Sequence, residues 1–325
     1  MLDRSDEVDA ILVVISLSSE TRMPFNTPEL KPVIAAQNKP IVFWSYTLPS
    51  NFARMGLAES GVVALSGLTH VSVALRRLVD HAKFELAEPV ATAAPAQNDL
   101  AEHLTAPALS EYDSKTLLQI AGVALPGEVL VTDRSALNAA IAEIGFPLVM
   151  KIQSRDIPHK SEVGGVRVNI TTKNEAAAAY DALTASARQH RPQAALQGVL
   201  VSPMARKGVE IIVGTLLDET FGPMVMVGLG GVTAELFKDV VYRPAPVSAD
   251  EAASMLGVLK AAPLLNGFRG TAKADVSAAA ELIAQISQLA AQFEGEIAEI
   301  ELNPLLVHPA GEGVTIVDAL VVRKG

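Results

Sequence analysis

The sequence predicts an α/β protein in two parts: a small doubly wound parallel sheet, then a larger α+β domain in two lobes. Three observations carry that prediction. The chain has 325 residues, more than one ordinary domain holds. Half of it is hydrophobic but only 4% is aromatic, so small and branched aliphatics must make the core, as in Ala-lined helices on β-branched strands. Strand and helix signals alternate over residues 10–84, stop at an Ala/Pro-rich stretch, and resume from Glu111. The expected division is therefore 1–85, 86–110 and 111–325.

In the first part, "AILVVI" at 10–15 is a continuous apolar run, the pattern of a parallel strand buried on both faces. Helical signals follow at 29–37, and "IVFWS" at 41–45 reads as a second buried strand. A short third strand is expected at 62–64. Thr69 then reads as the N-cap of a helix with Val71, Ala74, Leu75, Leu78, Val79 and Ala82 on one face. This is doubly wound logic, and three strands make a small sheet that suits half of a larger one. "LAEPVATAAPAQNDLAEHLTAPALS" at 86–110 has no apolar period and reads as a linker.

In the second part, "SKTLLQIAGVALPG" reads as a helix ending near Gly122, and 135–145 as an amphipathic helix with Leu137, Ala140, Ile141 and Ile144 inward. "FPLVMKI" is a strand. "VGGVRVNI" is the next, with Val166, Val168 and Ile170 on one face. A helix is expected at 175–190, and strands at 198–202, 209–216, 224–227, 297–301 and 314–318. Ser248 with Glu251 makes a capping box. Leu282, Ile283, Ile286, Leu289 and Phe293 give a helix over 276–293.

The net charge is -10 with a pI near 5.1, which disfavours broad binding to nucleic acid or an anionic membrane. There are no cysteines, so disulfides, thiolate metal sites and a cysteine nucleophile are excluded. The start "MLDRSDEVDA" lacks a basic, apolar leader, and no apolar run reaches the ~20 residues of a membrane span. A soluble, cytoplasmic protein is expected.

Four segments can carry chemistry. In "KIQSRDIPHKSEVGGV" (151–166), Lys151 ends a strand, and His159 and Lys160 precede Gly164 and Gly165. Such glycines can let backbone N–H groups approach a phosphate, with lysines adding charge. On spacing alone, a solvated turn with a glycine bulge accounts for the stretch slightly better. In "EIAEIELNPLLVHPAGEGVTIVDAL", Glu299, Glu301 and Asn303 alternate on one strand face, and Asp318 ends a returning strand. Oxygen ligands on neighbouring strands suit Mg²⁺ shared with nucleotide phosphates, and acids stacked on one face repel without a cation or solvent. The third segment runs a strand into Gly228-Leu229-Gly230-Gly231, where a tight turn serves as well. The fourth, "GFRG", sets Arg269 between glycines, where it could clamp phosphate or lie in a plain surface loop.

Taken in order, "LVMKIQSRDIPHKSEVGGVRVNI", "VLVSPMARKGVEIIVG", "FGPMVMVGLGGVTAELFKDVVYRPAP", "LLNGFRG" and "EIELNPLLV…VDAL" resemble the ATP-grasp domain of the NDP-forming (ADP-forming) acyl-CoA synthetases, relatives of succinyl-CoA ligase. The likeness covers about 111–322. Residues 8–85 resemble the closing half of that family's second flavodoxin-like domain. The resemblance implies a partial flavodoxin-like sheet followed by an ATP-grasp domain. It implies the reversible reaction acyl-CoA + ADP + phosphate to acid + CoA + ATP, through phosphohistidine, with Mg²⁺. It also implies that a CoA-binding Rossmann domain and a first flavodoxin-like domain are missing from this chain and lie upstream or on a separate subunit; the acyl pocket would lie largely there. Oligomerisation stays open.

By matching position, His159 falls on the phosphoryl-carrying histidine of the grasp-domain loop, and Glu301 on the acid that supports an incoming phosphohistidine. Lys151, Lys160, Gly164, Gly165 and Glu210 fall on the nucleotide side. Gly230, Gly231 and Arg269 fall on a phosphate or phosphohistidine loop, and Asn303 and Asp318 on the Mg²⁺ ligands. The strand "VLVSPM" lacks the acidic hinge residue of many ATP-grasp enzymes, so backbone from about Val201 is expected to hold adenine. Phosphoryl transfer asks mainly for placement and charge neutralisation, and a histidine is nucleophilic enough to carry the group. Two other readings remain: a regulatory module of the kind fused to acetyltransferases, and another ATP-grasp carboxylate ligase. The presence of Lys151, His159, Glu301, Asn303 and Asp318 argues against the first, and "HKSEVGG" against the second.

Overall fold

The computed structural model describes residues 5, 7–23, 26–82, 100, 102–230 and 239–325. The chain divides into two compact units, Met1–Leu86 and Ala87–Gly325.

The first unit runs β1 (Ile11–Ile15), α1 (Thr27–Ala35), β2 (Ile41–Ser45), α2 (Asn51–Glu59), β3 (Ala64–Leu65) and α3 (Leu68–Ala82). The strands form a parallel sheet in the order β1-β2-β3. Its core is Leu17, Phe43, Ala53, Leu57 and Val62, with Leu30 and Ile34 of α1 against it. Helix α2 starts where the Ser50 hydroxyl accepts the Ala53 N–H.

Two expectations need correction in this unit. Strand β1 is not buried on both faces: Leu12 and Val14 are 39% and 53% exposed, because α1 and α2 cover Val13 and Ile15 and α3 packs on β2 and β3. Thr69 is not an N-cap but lies inside α3, of whose expected apolar face only Val71 is buried.

The second unit has two antiparallel sheets. The smaller joins β4 (Val129–Val131), β5 (Leu148–Gln153), β6 (Val166–Ile170) and β7 (Gly198–Pro203) in the order β4-β7-β5-β6. Helices α5 (Leu137–Ile144) and α6 (Lys173–His190) close its core. The larger joins β8 (Val209–Asp218), β9 (Gly222–Leu229), β10 (Val240–Pro244), β11 (Ile297–Val307) and β12 (Val314–Ile316) in the order β10-β9-β8-β11-β12, with β13 (Ala319–Arg323) also on β11. Helices α7 (Ala249–Gly257) and α9 (Val276–Gln292) pack on it, with α8 (Ala262–Leu265) between them in sequence. The capping box at Ser248 and Glu251 is formed, and a second, at Thr172 and Glu175, starts α6.

Of the stretch expected as a linker, residues 86–99 and 101 lie outside the described residues. Its end is part of the second unit: Leu104 and Leu109 are buried in the larger core. The Leu109 N–H donates to Val321 O at 3.0 Å. Helix α4 (Glu111–Ile120) follows, capped by Ser110 and packed on β13. Among the described residues, no helix is long and apolar enough to cross a membrane.

Candidate functional site

The site begins with an interruption in β11. Its N-terminal part, Ile297–Leu302, pairs with β13, while Leu305–Val307 pairs with β12. The register against β8 shifts between Leu302 and Leu305. The expected single strand over 314–318 is therefore two strands, with Val317 and Asp318 between them. Two backbone hydrogen bonds tie the breaks together: Asn303 N–H to Asp318 O at 3.2 Å and Val317 N–H to Pro304 O at 3.1 Å. Alternation along β11 buries Ile300 and Leu302 and turns Glu299, Glu301 and Asn303 the other way. The Asn303 amide donates to Glu301 Oε1 at 2.9 Å. Burial, reinforced by Glu301, pushes the Glu299 carboxyl up.

The histidine loop is fixed by its glycines. Residues Lys160–Val163 form a 3-10 turn directly after His159 and end at Gly164, whose φ of 64° is left-handed. A Cβ on Gly165 would stand 2.6 Å from Ile152 Cγ2 and 2.8 Å from Lys160 O. Gly164 N–H donates to Ser161 O and Gly165 N–H to Lys160 O. The expectation that these N–H groups cradle a phosphate is corrected: both are consumed in closing the turn. The glycines instead present His159, which is exposed, beside Lys160, which is buried.

Three clefts hold the expected residues. One, of about 500 Å³, is lined by His159, Lys160, Glu301, Asn303 and Asp318. A second, of about 370 Å³, is lined by Lys151, Glu210 and the 202–206 segment. Val166 borders both. A third, of about 740 Å³, is lined by Glu210, Gly230 and Arg269. Arg269, at φ 52° and with its guanidinium 5.3 Å from the centre of the Phe268 ring, is thus placed apart from His159. Gly231 lies outside the described residues. Val201 sits mid-strand, paired with Val129 on one side and Met150 on the other, while Ser202, the next residue, has no partner on β4 and lines the second cleft.

Glu111, which the motifs did not point to, is the hub of the site. Its side chain is fully buried. Oε1 accepts Lys151 Nζ at 2.6 Å and Lys115 Nζ at 2.9 Å, and Oε2 lies 3.1 Å from Lys160 Nζ. Lys151 and Lys115 also donate to Val317 O. Lys160 donates to Asp318 Oδ2 at 3.0 Å, and Lys115 pairs with Glu128 at 2.7 Å. Burial alone would raise the Glu111 carboxyl, but Lys151, Lys115 and Lys160 outweigh it and hold it well below the usual range. Burial, with Glu111 adding to it, pushes Asp318 up against the pull of Lys151 and Lys160.

Among the described residues no group of three His, Cys, Asp or Glu could hold a metal. Two oxygens suffice for Mg²⁺ when phosphates and water complete the shell. Asn303 Oδ1 and the Asp318 carboxylate, held by the paired breaks and lining one cleft, fit that donor set.

Comparison with known proteins agrees with this architecture. The ATP-grasp domain model matches residues 101–322. A trans-feruloyl-CoA synthase from an unknown prokaryotic organism is 37% identical over 298 residues, covering 87% of this chain and 40% of that protein. The chain thus spans two fifths of that relative. The β subunit of an ADP-forming acetate–CoA ligase II from Pyrococcus furiosus is 37% identical over 218 residues, covering 67% of this chain and 92% of the subunit. A structure of acetyl-coenzyme A synthetase 1 from Ca. Korarchaeum cryptofilum superposes with a TM-score of 0.60 at 37% identity. It covers 70% of this chain and 100% of that one. That structure holds coenzyme A and Mg-AMPPCP, with a phosphohistidine segment pointing towards the nucleotide site. The chain belongs to the ATP-grasp domain family, and its relatives there include the β subunit of an ADP-forming acetate–CoA ligase.

Proposed function

We propose that the chain is the nucleotide-binding and phosphoryl-transfer part of an ADP-forming acid–CoA ligase. With a CoA-binding part it would interconvert acyl-CoA, ADP and phosphate with acid, CoA and ATP. The observation that carries this reading is one cleft lined by His159, Lys160, Glu301, Asn303 and Asp318, meeting at Val166 a second lined by Lys151 and Glu210.

In this reading the base lies against the backbone of 202–206 and the phosphates run past Lys151 towards His159. A His159 ring nitrogen forms a bond to the γ-phosphorus while the bond to the β–γ bridging oxygen breaks, and ADP leaves with the electron pair. The reverse step returns the phosphoryl group to ADP. Lys151 and Lys160 offset charge on the equatorial oxygens, which is most of what such a transfer requires. Glu301, on the wall of the same cleft, would accept the imidazole N–H of an incoming phosphohistidine. Bound Mg²⁺, held by Asn303 and Asp318, would neutralise phosphate charge. Gly230 and Arg269 line the third cleft, which meets the second at Glu210. The Mg-AMPPCP and phosphohistidine segment of the Korarchaeum protein support the reading.

The partner is a portion bearing the CoA site, on the same polypeptide or a separate subunit, and the working compartment is the cytoplasm, where nucleotide and CoA meet. The test is incubation with Mg²⁺ and γ-labelled ATP. Label is expected on His159 and absent from His159→Ala; equal labelling of the variant would remove His159 as carrier.

A further inference from the structure

The transfer just described leaves Glu111 without a role, yet no residue is more deeply tied into the site. It opens α4 behind the Ser110 cap. Its two oxygens face four donors: Lys151 and Lys115 on Oε1, and Gln153 Nε2 at 3.3 Å with Lys160 Nζ at 3.1 Å on Oε2. The three ammonium groups come from three elements, α4, β5 and the 3-10 turn after His159. Two of them serve different clefts: Lys151 lines the one with Glu210, and Lys160 the one with His159.

A carboxylate needed only as a counterion would be satisfied by one ammonium. Lys115 already has Glu128 at 2.7 Å, and Lys160 already has Asp318 at 3.0 Å. What Glu111 adds is a common anchor. The two cleft lysines meet on opposite oxygens of one carboxylate, and Lys151 is pinned a second time on Val317 O, one residue before Asp318. Gln153 holds the carboxylate and also accepts the Tyr112 N–H at 3.1 Å, so β5 and the start of α4 are fixed together.

We propose that Glu111 is a positioning residue: it fixes the separation of Lys151 and Lys160, so that positive charge meets the phosphoryl group at both its nucleotide and histidine ends. The proposal rests on the reading that His159 takes this group from the nucleotide. Glu111 borders the His159 cleft, but its side chain is fully buried, so it acts through the two lysines. Shortening its side chain by one methylene keeps the charge but pulls the anchor back, and a misplacement of that size costs roughly 100-fold in rate when geometry limits the step.

The experiment compares the wild type, Glu111→Asp and the double variant Glu111→Gln with Lys115→Met, which removes one ammonium together with the carboxylate. Each is followed by thermal melting, by Mg-ATP affinity and by the single-turnover rate of His159 labelling. The expected result is a folded protein with nearly unchanged affinity and a rate down by about 100-fold. Labelling at the wild-type rate in either folded variant overturns the proposal and leaves the function intact. Affinity and rate lost in equal measure, or failure of both variants to fold, makes Glu111 a structural counterion and also overturns it. A wild type that never labels removes the proposal and the proposed function together.

Discussion

Asn303 gives its backbone N–H to the carbonyl of Asp318 at 3.2 Å, across matching interruptions in β11 and the strand beside it. Where β11 changes partner from β13 to β12, two oxygen-bearing side chains 15 positions apart in sequence are brought to one cleft. The cost of breaking the ladder is limited because the reciprocal bond, Val317 N–H to Pro304 O, repairs it.

Asp318→Asn keeps the shape and removes the charge. Saturating Mg-ATP should raise the melting temperature of the wild type, because a ligand at 100 times its Kd stabilises by about 2.7 kcal/mol. In the variant the Mg²⁺-dependent part of that rise is expected to vanish. Melting curves with ATP, with and without Mg²⁺, measure it; an unchanged rise would remove Asp318 from the cation site.

Gly165→Ala inserts a methyl group 2.6 Å from Ile152 Cγ2 and 2.8 Å from a backbone oxygen. Overpacking of this kind costs about 1–3 kcal/mol. Because Gly165 closes the turn that follows His159, stability and His159 labelling are expected to fall together, in denaturant titration and labelling of the same preparation.

Lys115 sets an alkaline limit. Burial would lower its pKa, but Glu111 and Glu128 raise it above the ordinary 10.5. A group raised on folding contributes stability that is complete below 10.5 and lost as pH climbs through the raised value. Thermal melts stepped through that range should show the loss. Glu111→Gln takes away the largest raising influence and should move it to lower pH. A wild type and variant with superimposable alkaline profiles would contradict the assignment.

Ser248→Ala removes the hydroxyl that accepts the Glu251 N–H at 3.2 Å. An N-cap loss costs about 1 kcal/mol. Helix α7 lines none of the three clefts, so stability should drop in chemical denaturation while His159 labelling stays as it was.

Much of this was legible in the chain itself because periodicity reports burial directly. Glu299, Glu301 and Asn303 alternate against Ile300 and Leu302, and a period of two is visible in any sequence. The capping box at Ser248 was readable for the same local reason. Glu111 was not readable. An acid in the first turn of a helix is ordinary, since it complements the helix dipole, and its i,i+4 spacing to Lys115 reads as a common surface pair; nothing local announces Lys151 and Lys160 arriving beside it. The glycines at 164 and 165 were visible, but their purpose was not, because a crowded backbone and a phosphate cradle ask for the same residue. Strand β4, with three residues, is too short to show a period, and β10 alternates but buries no residue fully. The apolar run of β1 overstated its burial, because only one of its faces is covered in the described residues.

The change of partner along β11 also makes that strand a ruler. Glu301 lies before the interruption, Asn303 within it, and Leu306, on the wall of the second cleft, after it. A substitution between them alters one side chain, but an inserted or deleted residue would turn every later position to the opposite face. A change of length within 302–305 should therefore disturb both clefts at once, whereas a substitution at Asn303 disturbs only the cleft it lines.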